Sequence, residues 1–336
     1  MRTLPLPLVP LLAACAASDA ARPVWIEDFV EKSVEVKCEP VPSLSARESV
    51  VADVATLSDS TFLVLYDRDR EVALVGPDLQ PRWVVAFAAD GPTGVRRPTS
   101  ATLVADTIYV ADQGQGALKR LGLDGSDRGR VLLPFPPQQV RSWGGQVFVT
   151  PLVLGRHPGR LVYRLAGDDV VPLEVPAARY GDLGVNALAN LAGVAAYPDG
   201  RIVVTHEFVV PLAHELHLDA AGEARRLPVP LPEEVGARLE RIPRGTIDEI
   251  RPADLPVAVI AAVADPRTGD LVVLTRSGRE GRDGNFEKAV IRLDSRLEYR
   301  SSYLLDVNAI RMAYLAAKQV AVVVDEVDQW YTCSVG

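Results

Sequence analysis

The chain has 336 residues, 48% of them hydrophobic and 24% charged, which is ordinary for a globular protein large enough to bury a substantial core. Its formal net charge is -8, its sequence pI is near 5.2 and no run of Lys or Arg occurs, so it lacks the basic stripe that neutralising a nucleic-acid backbone requires. After the N-terminal stretch no apolar run is long enough to span a bilayer, which excludes an integral helical membrane protein on this reading.

The first 21 residues read as a leader and short tether. Met1 and Arg2 form a short positive end, and Leu4 to Leu12 is apolar but interrupted by Pro5, Pro7 and Pro10. Leu12-Ala13-Ala14-Cys15 then places small residues before a cysteine. This tetrapeptide resembles a bacterial lipobox, which implies lipidation of Cys15 and membrane attachment through lipid only. Ala16 in the next position resembles outer-membrane sorting, on the periplasmic side or at the surface. The alternative is an ordinary secretory signal cut near Ala17, and both alternatives predict export to the cell envelope.

Residues 22–48 contain one convincing strand, Ser33 to Cys38, with no neighbour of its own. From residue 49 to 336 the chain is repetitive. The clearest unit, TIYVADQGQGALKRLGLDG from Thr107, is two strands and a turn: apolar residues alternate through Ile108, Val110, Leu118, Leu121 and Leu123, and Asp124-Gly125 closes it. Related stretches begin at Phe62, Val147, Ile202, Leu271 and Val320. Equivalent positions Leu63, Ile108, Val147, Ile202, Leu271 and Ala321 are separated by 45, 39, 55, 69 and 50 residues, the size of a four-stranded propeller blade with insertions. The predicted fold is all-β, a six-bladed propeller.

The sixth copy ends after three strands, so the strand Ser33 to Cys38 is expected to complete that blade and bring Cys38 beside Cys333. If Cys15 carries lipid, Cys38 and Cys333 are left as a pair for a disulfide that clasps the ring; two buried thiols are the alternative.

Connection lengths distinguish the two faces. The first-to-second and third-to-fourth turns are short, whereas Ala88 to Arg97, Leu152 to Gly159, Arg179 to Asn190, Pro232 to Pro256 and Ser277 to Lys288 are long and converge on one mouth of the central channel. Glu233 to Ile242 is either a short helical lid or a solvated insertion. At the mouth ends of the second strands stand Asp67, Asp112, Pro151, His206, Thr275 and Asp325. Asp67, Asp112 and Asp325 could ligate Ca2+ or another divalent ion, with His206 and Thr275 beside them in a channel-mouth site; as turn caps the same aspartates need no metal and no cofactor. His206, Glu207, His214, Glu215 and His217 form a second candidate metal cluster, although His214 and His217 fall on opposite faces of a strand. No nucleophile elbow, phosphate loop or dinucleotide fingerprint is present.

The unit IYVADQGQGALKRLGLDGS looks like an NHL repeat, and VAAYPDGRIVVTHE from Val194 resembles a first-to-second strand hairpin of the same superfamily. Gln115-Gly116 replace the Asn and Arg often found there, and the other copies are degenerate. The resemblance implies a fold whose relatives include binding scaffolds, metal-dependent lactonases and lyases. A lipid-anchored, non-enzymatic propeller binding a small molecule or a protein partner on the loop-rich face is the first functional expectation; a metal-dependent hydrolase or lyase in the channel is the second.

Overall fold

In the computed structural model, residues 25–26, 32–46, 49–90, 94–152, 159–177, 187, 189–197, 199–207, 212–218, 225–228, 231–232, 259–280 and 286–336 are described. The leader with Cys15 and the segment Glu233 to Ile242 lie outside them. Ahead of the repeats come β1 (Trp25–Ile26), β2 (Val34–Val36), β3 (Glu39–Pro40) and the single-turn helix α1 (Pro42–Ser45). The first blade is β4 (Val51–Thr56), β5 (Phe62–Tyr66), β6 (Glu71–Val75) and β7 (Pro81–Ala86). The second is β8 (Pro98–Val104), β9 (Thr107–Asp112), β10 (Ala117–Gly122) and β11 (Asp127–Leu132). The third is β12 (Pro137–Trp143), β13 (Gln146–Pro151), β14 (Tyr163–Ala166) and β15 (Asp169–Pro172). The fourth is β16 (Ala192–Ala196), β17 (Arg201–His206), β18 (Leu212–His217) and β19 (Arg225–Pro228), after which β20 (Leu231–Pro232) pairs in parallel with β1. The fifth is β21 (Ala261–Ala264), β22 (Leu271–Glu280), β23 (Phe286–Leu293) and β24 (Tyr299–Leu305). The last is β25 (Ala309–Leu315), β26 (Val320–Asp325) and β27 (Trp330–Ser334). The molecule is a six-bladed β-propeller of antiparallel four-stranded sheets.

The second strands are near-continuous apolar runs, such as Phe62-Leu63-Val64-Leu65-Tyr66 and Val320-Ala321-Val322-Val323-Val324, because both faces of a blade are covered by neighbouring blades. Cores therefore lie between blades. Ile108 and Val110 pack with Leu63 and Leu65 between the first two blades, and Ala313 and Val322 pack with Val54 and Phe62 where the last blade meets the first.

Ring closure departs from the expected pairing in one respect. The strand that completes the sixth blade is β3, whose Glu39 and Pro40 pair with Thr332 and Tyr331 of β27. The segment expected to do so, Ser33 to Cys38, instead contributes β2, which lies parallel to Tyr303, Leu304 and Leu305 as a fifth strand on the preceding blade. The N-terminal segment thus bridges two blades. It turns at Cys38, whose amide donates to Asp306 Oδ1 at 2.9 Å. Proline suits the new edge because its missing N–H faces outward.

Cys38 and Cys333 form a disulfide with Cα atoms 4.4 Å apart, and both cysteines are buried. Trp330, 1% exposed, anchors the same junction: its amide donates to Ser45 Oγ at 3.0 Å, its carbonyl accepts from the Val41 amide at 2.8 Å, and its ring lies obliquely against Phe62 at 6.0 Å. A second correction concerns Ser277 to Lys288, expected as a loop. Strands β22 and β23 continue through most of it, and a register shift between Arg276 and Glu280 absorbs Ser277-Gly278.

The disulfide closes a sequence separation of 295 residues. In the chain-entropy treatment such a loop contributes on the order of 5 kcal/mol. Replacing both Cys38 and Cys333 by Ser is expected to lower the free energy of unfolding by a few kcal/mol, read by denaturant titration. A loss below about 1 kcal/mol would mean that β3 pairing and Trp330 packing hold the ring without the bond.

Candidate functional site

Each first strand begins at the loop-rich mouth and lines the channel, and in four of six blades it begins with a bulge. Register shifts fall between Val51 and Asp53, Pro98 and Ser100, Pro137 and Gln139, and Ala309 and Arg311. The residue resuming the ladder is the third of its strand and is polar each time: Asp53, Ser100, Gln139 and Arg311. A bulge re-aims a side chain, and here four polar groups line the same cavity of about 150 Å3. The fourth blade has no bulge and carries Gly193 at the matching rung, paired with Thr205. A Cβ at Gly193 would stand 3.2 Å from Thr205 Oγ1, so glycine leaves the second strand open to the channel. Thr205 and Glu207 both line the cavity.

Asp53 and Arg141 form a two-pronged ion pair, Arg141 Nη1 donating to Asp53 Oδ2 at 2.7 Å and Nη2 to Oδ1 at 2.8 Å. Ser100 Oγ donates to Asp53 Oδ2 at 2.6 Å and accepts from the Val140 amide at 3.0 Å, tying three blades together. Burial alone would raise the Asp53 pKa; the charge and hydrogen bonds of Arg141, with that of Ser100, outweigh it and hold the carboxyl below its ordinary value.

Arg311 and Glu207 are arranged differently. Arg311 Nε donates to Ala52 O at 3.2 Å and Nη1 to Ile310 O at 2.9 Å; among the described residues Nη2 has no acceptor. The Glu207 backbone is fixed, its amide donating to Leu191 O and its carbonyl accepting from Val259, yet its carboxylate makes no hydrogen bond among the described residues. Burial pushes Glu207 up to about 7, opposed by the charges of Arg311 and Arg141 and reinforced by Asp53. Thr205 Oγ1 is buried with no hydrogen-bond partner.

The residues expected at the mouth have other duties. Asp112 is 1% exposed and accepts four amides: Arg97, Gly114 and Gln115 on Oδ1, at 3.1, 3.0 and 3.2 Å, and Arg96 on Oδ2 at 3.0 Å. Asp325 Oδ1 accepts from Val327 and Gln329 at 3.0 and 2.9 Å, and Oδ2 from the Tyr331 hydroxyl. Asp67 is exposed, one residue beyond the rung that Asp112 and Asp325 occupy, because Tyr66 is the residue opposite Val51. Among the described residues no group of three or more His, Cys, Asp or Glu side chains is placed to share a metal ion, so Asp67, Asp112 and Asp325 are not brought together.

Thr275 is buried in β22 opposite Ala289. His206 and His214 do meet. His206 Nδ1–H donates to Ala189 O at 2.8 Å, leaving its Nε2 to accept from His214 Nε2 at 3.2 Å, so both His206 nitrogens are engaged within the protein. Glu215 pairs with Arg201 and His217 is exposed, which separates the rest of that cluster.

Removing one partner of the buried pair tests the mouth's rigidity. Arg141→Met should destabilise by about 3–5 kcal/mol by stranding Asp53, and adding Asp53→Asn should recover most of it; a single-variant loss below about 1 kcal/mol would contradict the pairing. The pH dependence has a definite sign. Asp53 is depressed when folded, so the pair's contribution is complete above the ordinary carboxylate value and is lost as pH falls through the lower folded one.

No family model matches the chain and no curated protein matches it in sequence. Solved structures match the fold. A member of the DUF4221 family from Bacteroides vulgatus superposes with a TM-score of 0.59 at 8% identity, over 90% of this chain and 96% of that one. A candidate exported protein from Bacteroides fragilis superposes with a TM-score of 0.58 at 10% identity, over 93% and 98%. A gluconolactonase from Xanthomonas campestris superposes with a TM-score of 0.51 at 16% identity, over 89% and 96%. At these identities the likeness is one of fold.

Proposed function

We propose that this protein is a non-enzymatic binding propeller whose ligand enters the central channel from the loop-rich mouth. One observation carries the reading: Arg311 and Glu207 line the same cavity, and among the described residues Arg311 Nη2 and the Glu207 carboxylate have no hydrogen-bond partner, while the neighbouring Asp53–Arg141 pair is saturated. Partly buried charged groups are destabilising unless something completes them. A small polar ligand supplies that completion more directly than a protein partner on the rim. Export with lipid on Cys15 completes the proposal. The Cys38–Cys333 disulfide supports an oxidising compartment, and a propeller of similar fold is a candidate exported protein.

A second reading is a hydrolase or lyase acting in the channel. It is favoured by Glu207 itself, since a carboxyl titrating at about 7 is poised for proton transfer at neutral pH, and by the gluconolactonase among proteins of the same fold. A metal-dependent form would draw its ion from groups other than Asp67, Asp112 and Asp325 acting together.

A metabolite and lactone library separates the readings. A binding protein gives a thermal shift that Arg311→Met and Glu207→Gln abolish, and returns the compound unchanged by NMR. Turnover lost in Glu207→Gln would instead establish the enzyme. Hits unaffected by either variant would move the site away from the channel.

Glu207 also makes a prediction without any ligand. Its folded pKa of about 7 lies above the ordinary glutamate value of 4.5. Wild type and Glu207→Gln should therefore be alike below pH ~4.5; as pH rises toward 7 the unfolded chain releases a proton that the folded form retains, and wild type loses stability. Above pH ~7 Glu207→Gln should be the more stable by roughly 1–3 kcal/mol, in paired denaturant titrations at low and high pH. Equal stability at both would mean that water fully solvates the carboxylate.

A further inference from the structure

We propose that the channel ligand is a small zwitterion, a free amino acid or close relative, with its carboxylate on Arg311 and its ammonium on Glu207. This rests on the channel-binding reading. Among the described residues, the charged groups lining the channel cavity are Asp53, Arg141, Arg311 and Glu207. Asp53 and Arg141 neutralise each other through two hydrogen bonds, so they present neither excess charge nor an unused fork. Arg311 and Glu207 remain, opposite in sign and lining one cavity, with no ion pair joining them. Arg311 is nonetheless near enough that its charge is the chief influence opposing the upward push of burial on Glu207.

A ligand bearing only an anion would satisfy Arg311 and leave Glu207 desolvated without a donor. One bearing only a cation would do the reverse. A molecule with both ends, neutral overall, meets both and adds no net charge to a partly buried site. Thr205 adds an independent indication. Its hydroxyl is 1% exposed, lines the same cavity and has no partner, because Gly193 opposite it supplies no side chain. A third polar contact is thus available beside Glu207, two residues along the same strand face. The cavity of about 150 Å3 suits a small molecule rather than a peptide or an oligosaccharide.

The ammonium would also take over the role of the missing donor. Glu207 at about 7 is part-protonated at neutral pH, and a cation against it stabilises the carboxylate, so binding should release protons.

The test uses the exported chain with the twenty free amino acids and β-alanine, by thermal shift and then by calorimetry in phosphate and in Tris. For each hit, the corresponding hydroxy acid replaces the ammonium and the carboxamide removes the carboxylate; lactate and alaninamide are those probes for alanine. At least one amino acid should bind saturably. Affinity should fall about 30-fold or more in Arg311→Met and in Glu207→Gln and with either analogue, and the apparent heat at pH 7 should differ between the buffers. Retained folding of both variants is checked by their own melting curves. If the hydroxy acid binds as tightly as the amino acid, and Arg311→Met abolishes it, the zwitterion is wrong and channel binding stands. If no amino acid binds wild type, the zwitterion is overturned, and the library hits with the same two variants decide the channel reading separately.

Discussion

Closing the ring is the constraint on which everything else in this molecule depends. Six blades pack face to face only if the last meets the first, and the C-terminal segment supplies three of the four strands the last blade needs. The missing edge is filled by Glu39 and Pro40, a ladder of two residues, too short to hold on its own. Its neighbours hold it: the disulfide from Cys38, the Val41 amide on Trp330 O, and α1 presenting Ser45 to the Trp330 amide. Because β2 also lies along the fifth blade, the N-terminal segment clamps two blades across the point where the chain's ends meet.

Within the fixed ring, function is a matter of what the first strands present at one end. The repeated bulge does this economically, since one extra residue at the start of a strand turns a polar side chain into the mouth while the remaining rungs keep their apolar packing. Gly193 achieves the opposite in the fourth blade, withholding a side chain opposite Thr205 of the second strand, which lines the lumen together with Glu207 just beyond that strand. The mouth is therefore asymmetric although the blades are not, with a saturated ion pair spanning the first and third blades and an unsaturated pair drawn from the fourth and sixth.

The architecture was legible because a strand period, a turn chemistry and a spacing all recur: alternation through Ile108 and Val110, Asp124-Gly125, and the recurrent blade length. The cysteine pairing was legible from the truncated last blade. The closing strand is not legible in the same way, because Ser33 to Cys38 has strand composition whereas Glu39-Pro40 has none, and only three-dimensional adjacency to Tyr331 and Thr332 makes it one. Aspartates recur at the ends of the second strands, which is why the sequence points there; Asp112 and Asp325 cap turns. The polar residues that line the channel recur one strand earlier. Asp53, Ser100, Gln139 and Arg311 are each the third residue of a first strand, a recurrence visible in the sequence, but bulges carry no local signature that would have told which way those side chains point.

The two ends of the ring handle buried charge in contrasting ways. At the plain rim Asp270 carries both Arg292 and Arg300 at 2.8 Å, while Arg201 meets Glu215, stacks on Tyr197 and donates to the carbonyls of Gly269 and Ser295. Each of those charges is matched by an opposite one, as burial requires. Around the channel cavity, Arg311 and Glu207 form no ion pair with each other or with another described residue. Saturated charges at one end, and at the other a carboxyl and a guanidinium that line one cavity without an ion pair among the described residues, are the contrast that supports the proposal of a channel ligand.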